Sequence, residues 1–341
     1  MYNYAIIGFG GLGRVHLLNL MKIQEKRRDF QLIAICGVTA DRFRENVRTN
    51  LGTADMSMID FSGINFYSDY KEMFEKEKLD FVLSVLPTFL HEEVAVYCLN
   101  RGIHLFSEKP MALTLEGCDN MIAAAKKNKA KLMIGHCLRF SPAYITAKEY
   151  INNERFGKLQ RAEFTRYSQT PMWTVKNWIL DPAKSGGCVL DMHIHDVDLI
   201  NWYFGMPKAV QSFSTSFKVE EESIFTRYIY DDIVVTANAD WSMASAFPFT
   251  ARCVLIFEEA TAVIENEKLI VYTDDDSIIP EHSTKDHFTK EMEGFLKYVI
   301  DNRASKITSP ESVRNSVKIA LAEIESAKTG KTVMLGEDDG E

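Results

Sequence analysis

Two side chains in the second half of the chain have the types and spacing needed for proton transfer to or from an alcohol. Asp191 and His195 are four residues apart, which places them on one face of a predicted helix that reaches Phe204. A histidine can take the hydroxyl proton while hydride leaves the carbon, and a carboxylate one turn away can orient it. By itself, this spacing is more typical of a polar helix surface.

Two further segments follow predicted strands of a parallel sheet. Lys109 comes directly after the strand 103–107, and Pro110 constrains the turn that would aim the ammonium group. Ligands bind beyond the carboxyl ends of such strands, so Lys109 can reach a substrate. The other segment either lines the nicotinamide side of a cleft or only caps a helix, and it contains Leu86, Pro87, Thr88 and His91.

A glycine-rich turn opens the chain. The strand 4–8 leads into G-x-G-x-x-G, and a helix over 13–28 follows it. Gly8 permits the tight turn, Gly10 lets the backbone approach a pyrophosphate, and Gly13 lets helix and strand pack closely. In this strand–turn–helix context the motif predicts a dinucleotide-binding site. Its residues are Gly8, Phe9, Gly10, Gly11, Leu12 and Gly13.

The end of the second strand bears on the choice between NAD and NADP. An acidic residue at this place usually binds the ribose of NAD, but the strand 32–38 has Gly37 there and Asp41 comes late. Thr39 and Arg42 could instead meet a 2′-phosphate, which favours NADP slightly. Arg42 is equally well explained as an exposed helix residue.

The elements that must position these residues form two regions. Alternating strands and helices in the first third predict a doubly wound parallel Rossmann sheet, which we assign to a domain over 1–136. The domain over 137–341 is predicted to be α+β, with a large and mostly antiparallel sheet. Its predicted helices are 142–157, 285–301 and 309–327, and its predicted strands are 209–219, 223–230, 233–241, 249–257, 260–265 and 268–273.

Composition narrows the function classes. The net charge of -9 disfavours nucleic acid and anionic membrane surfaces as partners. No run of 18 apolar residues is present, and the chain begins in a strand with no signal-like segment. The six cysteines are widely spread, as in a reduced cytoplasmic protein. The expected partner is therefore a small molecule, in an acidic cytoplasmic protein.

Taken together, these segments resemble the Gfo/Idh/MocA oxidoreductase family over nearly the whole chain. Glu108-Lys109-Pro110 matches the family's E-K-P signature and is the most specific of the similarities. The resemblance implies that Glu108 and Lys109 lie at the cofactor. The other matching segments are Ala5–Gly13 with His16, Leu86–Thr88 with His91, Arg139–Pro142, Gly186–Gly187 with Asp191 and His195, and the ending Glu325–Lys331.

The resemblance implies a catalytic set of Lys109, Asp191 and His195. His195 would be the general base, while Asp191 and Lys109 would position the substrate hydroxyl and stabilise oxyanion charge. Hydride would pass between C4 of NAD or NADP and a secondary alcohol or ketone of a sugar, inositol or related polyol. The resemblance also implies a homodimer or homotetramer built through the second-domain sheet.

This sequence departs from the family pattern in three places. Cys188 and His193 replace glycines, and the second strand lacks its carboxylate. The first two departures could reshape the substrate pocket. Candidate substrate-binding residues, chosen because they offer hydrogen bonds or aromatic faces, are Arg139, Tyr167, Trp173, Asn177 and Trp178.

Two other functions remain open. A metal-dependent hydrolase could use His193, His195, Asp191 and Asp196, but residues two apart on a helix point about 200° apart, so we expect no metal site. A non-catalytic sensor of NAD(P) would keep the glycine turn without needing proton-transfer residues. The presence of Lys109, Asp191 and His195 together favours an enzyme.

Overall fold

The chain folds into two compact units. The computed structural model describes residues 1–37, 47–49, 52–57, 59–172, 174–281, 285–303 and 307–336. The first unit comprises Met1–Met111, Glu116–Gly135 and Lys285–Pro310, and the second comprises Ala112–Leu115, His136–Thr284 and Glu311–Glu341.

The first unit is built on a parallel sheet. Its strands are β1 (Tyr2–Ile7), β2 (Phe30–Cys36), β3 (Val47–Thr49), β4 (Gly52–Ala54), β5 (Asn65–Tyr67), β6 (Phe81–Ser84), β7 (His104–Glu108) and β8 (Leu132–Gly135). Among the described residues, six strands pair in the order β5-β2-β1-β6-β7-β8, and β3 and β4 form a separate hairpin. The strand order reverses between β1 and β6, which is where Rossmann sheets bind dinucleotides. The predicted doubly wound sheet is confirmed.

Both units contain helices. In chain order they are α1 (Gly11–Gln24), α2 (Tyr70–Lys76), α3 (His91–Leu99), α4 (Leu115–Lys127), α5 (Pro142–Asn152), α6 (Pro182–Ser185), α7 (Ile194–Phe204), α8 (His287–Val299) and α9 (Pro310–Thr329). Shorter 3₁₀ turns cover Thr88–Leu90, Cys137–Phe140 and Val175–Leu180, and a π-helical turn covers Val189–His193.

One helix belongs to a different unit from the one that the sequence predicts. We expected everything after residue 136 in the second domain, but 285–310 is part of the first unit. The aromatic ring of Phe295 on α8 packs at 5.6 Å from the rings of both Phe81 and Phe106 in the parallel sheet. Because Phe295 packs on residues 214 and 189 positions earlier in the chain, sequence order does not reveal the unit to which α8 belongs.

The second unit is built on a large mixed sheet. Its strands are β9 (Leu159–Gln169), β10 (Ala209–Phe213), β11 (Ser223–Ile229), β12 (Val234–Met243), β13 (Thr250–Phe257), β14 (Thr261–Glu265), β15 (Lys268–Tyr272), β16 (Ser277–Ile278) and β17 (Val333–Met334). The described strands pair in the order β16-β15-β14-β13-β9-β12-β11-β10-β17. The pairing is antiparallel everywhere except between β9 and β12, so the predicted mostly antiparallel sheet is confirmed.

The sequence pattern does not predict β9, the central strand of this sheet. Of its buried positions, Arg166 and Ser168 are polar, so the apolar alternation that marks a strand is weak. The six strands predicted over 209–273 also do not all pair with their neighbours in sequence. β12 and β13 are not neighbours, because β9 lies between them and pairs with both.

Two bulk properties of the described residues bear on the sequence expectations. All six cysteines are buried free thiols, and in such positions a thiol packs as a small apolar side chain. No helix in the described part of the chain is long and apolar enough to cross a membrane.

Candidate active site

The glycine turn between β1 and α1 has two glycines that the fold itself requires. A Cβ atom on Gly8 would lie 2.1 Å from the carbonyl oxygen of Val85, and one on Gly13 would lie 2.3 Å from that of Gly8. A Cβ atom on Gly10, in contrast, would meet no atom within 4 Å. Gly10 therefore leaves open space at the turn, which is the room that a pyrophosphate needs to approach the backbone.

The N-terminus of α1 is suited to an anion. Gly10 precedes the helix and provides no side-chain cap, and the first turn has no acidic residue. The helix therefore presents its first N–H groups and its positive dipole end to a ligand. Arg14 folds back over the turn, donates to the carbonyl oxygens of Phe9 and Gly10, and stacks on the Phe9 ring. Since the Phe9 side chain is buried, only its backbone can face a cofactor.

The adenosine end is only partly described. Thr39 and Arg42, the residues expected to meet a 2′-phosphate, lie outside the described residues. Gly37, with φ +106°, directly follows β2, and as a glycine it offers no carboxylate there. A carboxylate is nevertheless near the end of β2. It belongs to Asp69, which caps α2 and whose charge affects the pKa of Cys36. Burial, with a smaller contribution from Asp69, raises the pKa of Cys36 to about 12.

The segment after β6 divides into exposed and buried parts. Leu86 and Pro87 are partly exposed at the switch point of the sheet, whereas Thr88 and His91 are buried. The His91 ring lies between two carbonyl oxygens, with Nδ1 2.7 Å from that of Pro110 and Nε2 2.8 Å from that of Leu86. Burial lowers the pKa of His91, and the two carbonyls oppose that shift. The side chains of Thr88 and His91 are therefore buried and do not face a cofactor directly.

Lys109 is the one accessible residue in a buried stretch. Between Leu105 and Ala112, all of which are described, all residues except Lys109 are buried. Glu108, expected at the cofactor, instead points inward, where His16 Nε2 lies 2.6 Å from its Oε1. Burial alone would raise the pKa of Glu108, but His16 and then Lys109 hold it below its usual value. Lys109 is therefore accessible to a ligand, whereas its neighbours Glu108 and Pro110 are buried.

A second carboxyl group lies behind Glu108. Glu291 of α8 is fully buried, and neither of its oxygens has a hydrogen-bond partner among the described residues. Burial, together with the charge on Glu108, raises the pKa of Glu291 well above its usual value. The fold therefore accommodates Glu291 as the neutral acid.

We expect Glu291→Gln to remove a loss of stability that the parent protein shows as the pH rises. Below about pH 4 both the folded and unfolded chains hold this proton. Above it the unfolded chain releases the proton while the folded chain keeps it, so the free energy of unfolding falls with pH until the folded group ionises. The amide has no proton to lose. Urea unfolding at about pH 5 and about pH 8 should show the variant gaining on the parent at the higher pH.

The exposed Glu75 gives the matched control, since Glu75→Gln should leave the pH dependence of the parent in place. A Glu291→Gln protein that is less stable than the parent at both pH values would mean that the ionised carboxylate is held by a partner.

In the second unit, Asp191 and His195 stand out by their exposure. From Ser185 to Asn201, all described, they are the two residues that are not buried. Gly186 and Gly187 precede them with φ +76° and +64°, and a Cβ atom on Gly186 would lie 2.4 Å from a methyl carbon of Leu190. The turn that carries Asp191 is π-helical rather than α-helical, which the sequence did not predict. Such turns are frequent at functional sites.

The two departures from the family's glycines both point inward. Cys188 and His193 are fully buried. Burial, then the charge of Asp191, raises the pKa of the Cys188 thiol well above its usual value, which leaves it unreactive. His193 Nε2 lies 3.2 Å from the Tyr228 hydroxyl and 3.3 Å from Glu323 Oε2. Both residues therefore change the packing beneath Asp191 and His195.

Two buried ion pairs hold α7, the helix that contains His195. Arg166 of β9 makes two hydrogen bonds to Asp196, at 2.9 and 2.8 Å. Arg139 makes two to Asp198, both at 2.7 Å, and a third to Ser312. Removing one partner of such a pair leaves a buried charge and costs about 3–5 kcal/mol. These contacts fix the orientation of α7 relative to β9 and to the turn Cys137–Phe140.

The same contacts correct two predicted substrate-binding residues. Arg139 is 1% exposed, and its guanidinium is engaged by Asp198, so it stabilises α7 rather than facing a ligand. Successive strand residues point to opposite faces of a sheet. Arg166 faces α7, so its neighbour Tyr167 faces away from the helix with His195.

The remaining substrate candidates lie in or beside the turn Val175–Leu180. Trp178 is half-buried, and Asn177 is exposed with φ +50°. This turn packs on α6, which directly precedes the segment with Asp191. Trp173 lies outside the described residues. Among the described residues, no three His, Cys, Asp or Glu side chains come together in an arrangement that could hold a metal ion.

The first unit, with its strand order and open glycine turn, has the features of a dinucleotide-binding domain. Residues 2–136 match the Gfo/Idh/MocA oxidoreductase family with its NAD-binding Rossmann fold, and residues 144–263 match the C-terminal domain of that family. The chain belongs to the Gfo/Idh/MocA family. It is an oxidoreductase with an NAD(P)-binding Rossmann domain.

Relatives extend this finding. The myo-inositol 2-dehydrogenase of Thermotoga maritima is 31% identical over 80% of this chain and 71% of its own length. The NAD⁺-dependent scyllo-inositol 2-dehydrogenase of Bacillus subtilis is 24% identical over 97% of this chain and 95% of its own. A levoglucosan dehydrogenase solved with NADH and levoglucosan is 19% identical, and the match covers 98% of this chain and 100% of that one. Its TM-score of 0.81 supports the fold.

Proposed function

We propose that the protein transfers a hydride between NAD(P) and a secondary alcohol or ketone of a sugar, inositol or related polyol. One observation supports the assignment of the site above others. Lys109, Asp191 and His195 are the accessible residues of stretches that are otherwise buried. Three such residues, each in a family motif, favour a catalytic role.

Each of the three side chains has a proposed task. His195 takes the hydroxyl proton during oxidation and returns it during reduction. Lys109 and Asp191 orient the hydroxyl group, and the Lys109 ammonium stabilises negative charge on the substrate oxygen. When bound, the nicotinamide supplies the hydride acceptor or donor at C4. The open Gly10 and the uncapped α1 N-terminus fit the cofactor's pyrophosphate.

NADP is slightly favoured as the cofactor, because Gly37 stands where NAD enzymes have a carboxylate. The Asp69 carboxylate near the end of β2 favours NAD instead. Inositols are proposed as the first substrates to examine, because two relatives are named for them.

Parallel fluorescence titrations with NADH and NADPH test this proposal first. We expect tight binding of at least one, with the ratio of the two affinities reporting the ribose contacts. The cofactor that binds is then supplied in oxidised form with a panel of inositols and sugars, and formation of the reduced cofactor is followed. Failure of both to bind would refute the proposal, and binding without turnover on a broad panel would favour the sensor.

We also propose a cytoplasmic homodimer or homotetramer that assembles through the second-unit sheet. Val254, Val263 and Ile270 are neighbours across β13, β14 and β15 and are only half-buried. An apolar row on an open sheet face is a feature that a second copy can cover.

A further inference from the structure

The residues on both sides of Lys109 are held by histidines from two different helices. His16 lies on α1 and His91 opens α3, and both are buried, with exposures of 0% and 1%. His16 contacts the side chain of Glu108, and His91 contacts the backbone of Pro110. Lys109 lies between these two anchored residues and is itself partly exposed.

On the N-terminal side, the anchor is a bridging carboxylate. Glu108 Oε1 lies 2.6 Å from His16 Nε2, while its Oε2 accepts the backbone N–H of Lys109 at 3.2 Å. Gly135 of β8 leaves room for this group, since a Cβ atom there would lie 3.3 Å from Glu108 Oε1. The carboxylate therefore connects α1 directly to the peptide group of Lys109.

On the C-terminal side, the anchor is an imidazole ring between two carbonyls. Pro110 and Leu86 both offer only an acceptor oxygen to His91, at 2.7 and 2.8 Å. Burial lowers the pKa of His91 and so favours the neutral imidazole, whose single N–H donates to one of these two oxygens at a time. The ring joins the loop after β6 to the loop after β7, the two loops at the carboxyl edge of the sheet beside its switch point.

We propose that His16 and His91 are positioning residues that together fix the place of the Lys109 ammonium. This inference rests on the proposed function, in which Lys109 acts on the substrate oxygen. Each histidine immobilises one neighbour of Lys109, so the lysine backbone cannot shift without breaking a buried hydrogen bond. Because α1 also carries the glycine turn, the His16–Glu108 contact couples the helix that binds the cofactor phosphates to the lysine.

A double-mutant cycle tests whether the histidines act through Lys109. The single variants are His16→Leu, His91→Leu and Lys109→Ala, and each histidine variant is also combined with Lys109→Ala. We expect each single histidine variant to lower kcat about tenfold or more, because a displacement of a catalytic group by about 1 Å can cost about 10²-fold in rate and a partial displacement costs less. In the Lys109→Ala background, the same histidine changes should lower kcat no further. His104→Leu, on β7 but remote from residues 108–110, is the matched control and should keep parental kcat.

A second readout does not depend on turnover. The rate at which an amine-acylating reagent labels Lys109 is followed by peptide mass spectrometry across pH, with the exposed Lys22 as the internal reference. We expect the Lys109 profile to change in both histidine variants and the Lys22 profile to stay the same. If a leucine variant does not fold, His16→Gln or His91→Gln, which keep a donor, carries the test, with a smaller change expected.

The outcomes are distinguishable. Parental kcat and parental Lys109 labelling in folded histidine variants would overturn the inference, as would losses that persist unchanged in the Lys109→Ala background. If Lys109→Ala alone keeps parental kcat, it is the proposed role of Lys109 that fails.

Discussion

His195→Ala is expected to lower turnover about 10²-fold or more, the usual contribution of a positioned general base. NADH or NADPH affinity should change little, because the glycine turn belongs to the first unit and His195 to the second. The truncation removes a partly exposed side chain from a helix that Arg166–Asp196 and Arg139–Asp198 already hold, so we expect the fold to survive. Steady-state kcat at saturating cofactor, with a parallel fluorescence titration, gives the two quantities.

Matched variants separate proton transfer from packing. His195→Asn keeps a polar side chain of similar size but cannot exchange the proton, so it should lose as much turnover as the alanine variant. His287→Ala changes a partly exposed histidine on α8 and should retain parental kcat. Near-parental turnover in a folded His195→Ala protein would remove His195 from the mechanism.

The predictable part of the site is the part that steric or local chemical rules dictate. Gly8 and Gly13 are required because backbone oxygens lie where their side chains would be, and that need is visible in the glycine spacing alone. Lys109 was placed at the carboxyl end of a strand by the alternation of strands and helices. Asp191 and His195 came from their spacing and the family resemblance.

The unpredicted part depends on contacts that are distant in sequence. Nothing near Arg139 indicates that Asp198 neutralises it, and the polar pattern of β9 gave no sign that it is the central strand. A buried histidine and a ligand-binding histidine look the same in a sequence, which is why His91 was assigned to the cofactor. A signal was present for His16, since it lies in the family's opening motif, but only the structure shows Glu108 as its partner.

Gly10→Val is expected to abolish detectable dinucleotide binding while leaving the fold intact. Gly10 has φ −76° and ψ −158°, an extended conformation that any residue can adopt. A Cβ atom there meets no protein atom within 4 Å, so the added methyl groups occupy only the space in front of the α1 N-terminus. That space is where a pyrophosphate must approach the backbone N–H groups. Thermal unfolding and titration with NADH and NADPH measure the two expectations separately.

Gly13→Ala is the informative contrast, because its Cβ atom would lie 2.3 Å from the carbonyl oxygen of Gly8. We expect that variant to lower the unfolding temperature, since α1 must move away from β1 to accept it. If valine at position 10 unexpectedly prevents folding, Gly10→Ala tests the same space with a single methyl group and a smaller loss of affinity. An unchanged titration in a folded Gly10→Val protein would show that the dinucleotide phosphates do not bind at this turn, and the proposed hydride transfer would lose its cofactor site.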